Sequence, residues 1–385
     1  MASYRFKLGG SMKEIKVGLL GCGFMGRAHM AGYQTIPLYY NNDFKIKFAG
    51  VCNRTLEKAE YFKEAFGFEY ATSNPEDILN DPSIDVIDIC TPNANHKNEI
   101  LKALDNKKHI YCEKPVVVGE EEIKAVLSHP NLDKVTTQVV FNNRFYPAAI
   151  RAKQLIGEGR LGKIFSFRGV MLHNSSVDVL KPVSWRQTVE GNGGVVYDLS
   201  AHLSDMVYNL LGEFESVYTK NQIAHPVRKD KDGKDVKIEI EDATYSLVKL
   251  KNGAMGTMET TKIATGKNGN FKLEIHGEKG ALALDLIDPN WLYFYDNTAP
   301  ASPNGGMKGF TKIETMQRYG ADCVFPPGNH TLGFLRAHVD CLHNFLTCVS
   351  KGAAANPSIK DGLYVQSVLE AMHKSAKTRT EAFVS

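Results

Sequence analysis

The sequence predicts two domains: a doubly wound α/β unit on a parallel sheet, followed by an α+β unit whose sheet is mostly antiparallel. Three observations carry this. Between residue 15 and about residue 140, short apolar runs of β type alternate with longer segments of helical period, the pattern of βαβ units. Beyond Pro147 the pattern becomes apolar–polar alternation, cut by Asn-Gly and Glu-Lys-Gly turn signals, as in a sheet with one buried face. With 385 residues, 43% of them hydrophobic, the chain is long and apolar enough for two ordinary cores.

Taken in order, residues 15–20, 46–52, 86–90, 109–112 and 135–140 are the expected parallel strands. Residues 56–66 and 96–106 carry apolar side chains three and four apart and read as crossover helices. A helix over 148–156, closed by Gly157, leads into the second half. There, strands are expected at 163–171, 236–250, 254–261, 271–276 and 281–286, with helical stretches at 195–211, 332–350 and 361–374. Residues 229–237 form a charged hairpin tip and 297–309 a Pro/Gly/Asn loop, both expected as surface connections. Residues 1–11 end in Gly-Gly-Ser ahead of a second methionine, Met12, and read as a tag or linker. The domains are then expected at 12–141 and 142–385.

Forty-six basic and forty-three acidic side chains leave a formal charge of +3, and Arg5 and Lys7 of the leader supply two of the surplus positives. Such a balance gives no reason to expect a nucleic-acid or membrane-surface partner. No run reaches the roughly 18 apolar residues of a spanning helix, and the N-terminus lacks a signal-peptide core, so a cytoplasmic setting is expected. The seven cysteines form no Cys-x-x-Cys pair, and Cys52, Cys90 and Cys112 lie in apolar strand contexts. That is the usage of buried free thiols in a reducing compartment, and it argues against a zinc site; no metal is expected.

Gly21-Cys22-Gly23-Phe24-Met25-Gly26 directly follows the first strand and opens a helix, the context in which G-x-G-x-x-G binds a dinucleotide. Gly21 permits the tight turn, Gly23 lets the backbone approach a pyrophosphate, and Gly26 allows close helix–strand packing beside a positive helix end. The second strand ends in Asn53-Arg54 instead of the usual ribose-binding carboxylate. Asn53 can still bond a ribose, and Arg54 can stack on adenine, pair with a 2′-phosphate or sit in solvent, so NAD is expected and NADP is admissible. Thr91-Pro92-Asn93 with His96, and Glu113-Lys114-Pro115, follow the strands ending at Cys90 and Cys112, where open α/β sheets bind ligands. Lys114 is there either a donor to a substrate oxygen or an ordinary loop lysine. Asp198 and His202 stand four apart in a helical stretch, a spacing that by itself favours a structural i,i+4 contact over a catalytic pair.

With the glycine loop, the Thr91-Pro92-Asn93 and His96 segment, Glu113-Lys114-Pro115 and Gly193-Gly194-Val195-Val196-Tyr197-Asp198-Leu199-Ser200-Ala201-His202, the chain resembles the Gfo/Idh/MocA family of nicotinamide-dependent sugar and polyol oxidoreductases. The resemblance covers essentially everything after Met12. It implies an N-terminal Rossmann domain and a C-terminal domain on an open mixed sheet, whose exposed face often makes the contact of a homo-oligomer. It also implies His202 as the acid/base that takes the hydroxyl proton, Lys114 as a donor and proton relay, and Asp198 as a ligand of a substrate hydroxyl. Asn142, Asn143 and Arg144 are implied near nicotinamide and substrate, and Trp185-Arg186 as lining of the cleft. His173, Lys181 and His330 are further candidates with no register to place them.

The function implied is oxidation of a secondary hydroxyl of a small neutral sugar, glycoside or inositol, with hydride passing to C4 of the nicotinamide. Likeness to glycoside 3-oxidoreductases favours C3 of a pyranose. A 3-ketone acidifies the hydrogen on C2, so a partner lyase acting on the product is admissible. Two other readings remain: an NAD-dependent glycosidase working by transient oxidation and elimination, and a non-catalytic module that senses NAD(P).

Overall fold

A strand covered on both faces is apolar throughout, and the runs that stand out in the first half of the sequence are the inner strands of a parallel sheet. The protein is described here by a computed structural model over residues 12–303, 305–306, 308–316, 323–325, 330–331 and 333–385; the expected leader, 1–11, lies outside the described residues. The first sheet consists of β1 (Lys13–Leu20), β2 (Phe44–Cys52), β3 (Tyr70–Thr72), β4 (Val86–Ile89), β5 (His109–Cys112) and β6 (Thr137–Val139). Its order is β3-β2-β1-β4-β5-β6, with every pairing parallel. The order reverses between β1 and β4, which is the crevice where such sheets bind ligands. Helices α1 (Phe24–Tyr39), α2 (Leu56–Phe66), α3 (Pro75–Leu79), α4 (Asn93–Asp105) and α5 (Glu120–Leu127) make the crossovers, and α6 (Pro147–Gly157) leads out of the domain.

The second sheet has nine strands: β7 (Ile164–His173), β8 (Phe214–Gln222), β11 (Ala243–Leu250), β12 (Met255–Thr261), β13 (Asn268–Gly277), β14 (Gly280–Asp285), β15 (Trp291–Asp296), β16 (Phe310–Glu314) and β17 (Ala382–Phe383). The remaining pair, β9 (Val227–Lys229) and β10 (Asp235–Lys237), forms the charged hairpin expected at 229–237. The sheet is mixed because β7 and β12 pair in parallel while their neighbours run antiparallel. One face packs on α6, α7 (Ala201–Leu211) and α9 (Ile359–Thr378) through Phe167, Val248, Met258, Leu273 and Leu284. The opposite face leaves Phe165, Tyr245, Leu247 and Met255 exposed.

The run expected as one strand over 236–250 is two. Between β10 and β11 the chain turns to bury Glu241 and Asp242, whose carboxylates accept from the backbone N–H groups of Val196 and Ala224. A second departure concerns the domain boundary. Helix α8 (Phe334–Lys351), from the far end of the chain, packs Leu342, Phe345 and Leu346 into one core with Val17 and Leu19 of β1 and Met30 and Ile36 of α1. The outer layer of the first domain is therefore completed by the last part of the sequence. Among the described residues, no helix is long and apolar enough to cross a membrane.

Candidate active site

The loop between β1 and α1 has the geometry its glycines allow. Gly21 adopts φ +102°, and a Cβ there would meet the Cys90 carbonyl oxygen at 2.6 Å. A Cβ on Gly26 would overlap the Gly21 carbonyl, whereas one on Gly23 would point into open space. Gly23 is also the N-cap of α1, with no side-chain cap and no acidic residue in the first turn, so the positive helix end is left open toward the cleft. Phe24 is exposed and Met25 half-buried beside it. Asn53 stiffens this loop: its side-chain oxygen accepts from Cys22 N–H at 3.2 Å and its amide donates to Thr55 O at 3.0 Å, while Arg54 is exposed. These features fit a dinucleotide: a cradle that a side chain would fill, and backbone donors at a helix end.

The loops after β4 and β5 form the next wall. Thr91 donates to Glu99 at 2.5 Å, and burial pushes the Glu99 carboxyl up to about 7 although the Thr91 bond opposes it. Pro92 is exposed, and Asn93 donates to Asn192 O of the second domain at 3.1 Å. His96 does not face the cofactor as expected. It is fully buried, with its ring nitrogens 2.8 Å from Pro115 O and 2.9 Å from Thr91 O, so it ties the two loops together from behind.

Glu113 likewise turns inward. Its Oε1 lies 3.1 Å from Nε2 of His29, whose Nδ1 lies 2.8 Å from Asp88, and all three side chains are buried. A neutral imidazole has one N–H and can donate to one carboxylate only, so a ring between two of them is an imidazolium. Burial opposes that charge, but Asp88 overcomes it and holds the His29 pKa well above its ordinary value. The other oxygen of Glu113 accepts from Lys114 N–H at 3.2 Å, so this buried row of charges ends at the lysine's backbone.

The structure brings Lys114 and Asp198 together. Lys114 Nζ lies 2.8 Å from Asp198 Oδ1 and donates to Asp198 O, also at 2.8 Å. Asp198 Oδ2 lies 2.9 Å from Nζ of Lys262, a residue the sequence did not single out. Burial opposes ionisation of Asp198, but Lys114 and Lys262 outweigh it and hold the carboxyl well below the usual range. Asp198 sits in a π-helical turn, Val196–Ser200, and His202 in the first turn of α7. Local chemistry fixes this turn: Gly194 has φ +98° against the Glu241 carboxylate, which accepts Val196 N–H at 3.0 Å. The wider turn alters the α-helical offset expected between Asp198 and His202, and both Asp198 oxygens go to lysines.

His202 rests edge-on to Phe141, with centroids 6.4 Å apart, and its buried Nδ1 has no hydrogen-bond partner among the described residues. Burial, reinforced by the Lys114 ammonium, pushes its pKa down to about 3. His173, at the end of β7, feels Asp198, Lys262 and Lys114, and its buried Nε2 is also without a partner among the described residues. Asn143 is half-buried, but Arg144 corrects the expectation of a substrate ligand. Its guanidinium is spent on buried Asp205, at 2.5–3.0 Å, and on Asn356, as an interior tether. Trp185 and Arg186 stack on one another at 4.4 Å, on a loop whose carbonyls press against Gly191 and Gly193. Lys181 and His330 are exposed.

Comparison with known proteins bears on the fold and the cofactor. The model of an oxidoreductase family's NAD-binding Rossmann fold matches residues 15–141, and that of its C-terminal alpha/beta domain matches residues 153–384. A levoglucosan dehydrogenase of Pseudarthrobacter phenanthrenivorans is 31% identical over 382 residues, covering 95% of this chain and 97% of its own. The scyllo-inositol 2-dehydrogenase (NAD(+)) of Bacillus subtilis is 28% identical over 71% of this chain and 75% of its own. Among solved structures, levoglucosan dehydrogenase in complex with NADH and levoglucosan superposes with a TM-score of 0.91 at 30% identity, over 97% of this chain and 100% of that one.

Proposed function

The chain belongs to the Gfo/Idh/MocA oxidoreductase family and is an NAD-dependent enzyme; from that premise we propose that it oxidises a secondary hydroxyl of a small neutral cyclic carbohydrate, C3 of a pyranose or glycoside being favoured. The observation that carries this reading is the Lys114–Asp198 pair beside a neutral His202, with Lys114 just past the carboxyl end of β5.

The loop over Gly21, Gly23 and Gly26, with Phe24 and Met25, would hold the pyrophosphate of the cofactor, and Asn53 and Arg54, at the end of β2, would face its adenosine. Thr91, Pro92, Asn93 and the backbone at Glu113 and Lys114 would frame the nicotinamide end, with Asn143, Trp185 and Arg186 contributed from the second domain. When bound, NAD⁺ supplies the hydride acceptor. Lys114 donates to the substrate oxygen and Asp198 accepts from a hydroxyl. His202 takes the hydroxyl proton. A base with a pKa near 3 is adequate because the hydroxyl, as its carbon loses hydride, approaches a protonated carbonyl, a far stronger acid than any imidazolium.

The same reading carries a cytoplasmic setting for seven free thiols, and a symmetric homo-oligomer formed through the exposed face of Phe165, Tyr245, Leu247 and Met255. The proposed partner is a lyase that takes the C2 proton of the 3-keto product and forms the C1–C2 double bond as the aglycone leaves C1. The test is NADH formation with pyranoses, glycosides and inositols, native protein against His202→Asn. A drop in kcat of about 10²–10⁴-fold with unchanged NADH affinity is expected, and unaltered turnover refutes the role of His202. Aglycone release without net NADH would identify a glycosidase working by transient oxidation. Cofactor binding with no turnover of any sugar would identify a sensor.

A further inference from the structure

Lys262 is the charged residue of the cleft that the proposed mechanism leaves unused. Its side chain is 7% exposed and ends 2.9 Å from Asp198 Oδ2, opposite the oxygen held by Lys114. Burying an ammonium is costly, and one carboxylate shared by two of them leaves a surplus positive charge on the cleft floor. It also leaves surplus donors. Each ammonium has three N–H bonds: Lys114 spends two on Asp198, and Lys262 spends one on Asp198 and one on a long contact, 3.4 Å, to Gly194 O. One proton on each remains to be given, and a single carboxylate presents the two side by side.

The second-domain sheet supplies a neighbour. Strand β12 runs parallel to β7 with Thr261 opposite Leu172, so Lys262 and His173, the next residue on each strand, leave the sheet at the same edge. His173, whose ring rests against Gly269 of β13 and whose Nε2 has no partner among the described residues, feels the Lys262 charge from that same end of the sheet. A group reading one hydroxyl needs one donor and one acceptor. Here two donors flank a carboxylate whose two oxygens both accept, the complement of two hydroxyls on adjacent ring carbons.

We propose that Lys262, with His173 beside it, binds the hydroxyl next to the one that is oxidised, so that the enzyme selects neutral cyclic substrates carrying a vicinal diol. The inference rests on the dehydrogenase reading and names the substrate class of that site. Lys262 is thus a specificity residue, contributed by the sheet of the second domain, whereas Lys114 comes from the cofactor domain.

The test compares native enzyme, Lys262→Met and Lys262→Arg with NAD⁺ on levoglucosan, D-glucose and myo-inositol, then on monodeoxy analogues of the one oxidised fastest. Lys262→Met should lower kcat/KM on the parent by about 10–100-fold, mainly through KM, since a charge-assisted hydrogen bond is lost. One deoxy analogue that the native enzyme rejects should be handled by the variant as well as the parent is, and Lys262→Arg should restore part of the discrimination. NADH affinity, read by fluorescence, should be unchanged; if the methionine variant fails to bind NADH, the arginine variant carries the comparison. Equal losses on every analogue overturn the proposal; glucose 6-phosphate is assayed alongside, and a loss confined to it would make Lys262 a reader of anions and overturn the proposal as well. If the native enzyme oxidises no sugar, the dehydrogenase reading fails and this inference with it.

Discussion

Lowering the pH from 7 to 5 probes the electrostatics of the cleft through one residue. In the unfolded chain His202 titrates near its ordinary value of 6.5, and in the folded protein burial and the Lys114 ammonium push it down to about 3. Between those values the unfolded state binds a proton that the folded state refuses. For a basic group with the lower pKa in the folded state, the contribution to stability is whole above the unfolded value and is lost progressively as the pH falls. At pH 5 about 1.5 units of the interval are engaged, at about 1.4 kcal/mol each, which makes the loss about 2 kcal/mol. His202→Asn cannot titrate, so between pH 7 and pH 5 it should lose about 2 kcal/mol less stability than the native protein by urea unfolding. His338 and His343, both lowered by burial to about 4, act in both proteins and cancel. The same depression keeps His202 out of any acid limb of kcat/KM near neutrality. A His202 ring signal that titrates between pH 6 and 7, or acid sensitivity equal in the two proteins, refutes the argument.

Other outcomes follow from the same geometry. Gly23→Ala places a methyl in open space, so the apo melting temperature should hold while NADH affinity falls at least about tenfold; Gly26→Ala, which drives a methyl into the Gly21 carbonyl, should lower both. His29→Leu removes the imidazolium from between Asp88 and Glu113 and should cost about 3–5 kcal/mol by urea unfolding; a loss under about 1 kcal/mol would mean the ring is not charged. Arg144→Met leaves Asp205 unpaired in the interior and should cost about 3 kcal/mol. Substrate KM in its folded fraction should be unchanged, and a raised KM would return Arg144 to the substrate site.

The first domain was readable because its signals are local. Both faces of β1, β4 and β5 are covered, so each is a short apolar run, and each ends where a glycine, a threonine or the Glu113-Lys114-Pro115 segment opens onto the cleft. Strand β8 was missed although Phe214, Ser216, Val217 and Thr219 are buried against α9 and β11, because the polar members Ser216 and Thr219 blur its alternation. The break after β10 was missed for the opposite reason: Ile238 and Ile240 continue an alternation that the burial of Glu241 and Asp242 interrupts.

Within the site, the residues that touch the cleft announced themselves by motif, and those that hold them there did not. Lys262 follows a strand as an unremarkable lysine, and only the packing of the Val196–Ser200 turn on β12, where the Ser200 and Thr260 hydroxyls lie 2.6 Å apart, carries it to Asp198. His29 lies in the helical pattern of α1, and its two carboxylates come from β4 and from the segment after β5. Glu241 sits in a loop that happens to pass under Gly194. Each is a contact between distant segments, and charge is what the three share. Lys114, Asp198 and Lys262 alternate in sign, as do Asp88, His29 and Glu113 behind them. Buried charges persist only when paired, because a charge left without its partner in the interior is costly. The sequence therefore names the groups that do the chemistry. Their alignment depends on charges held in place by tertiary structure, and removing the central one of either row, Asp198 or His29, leaves two like charges without the partner they share.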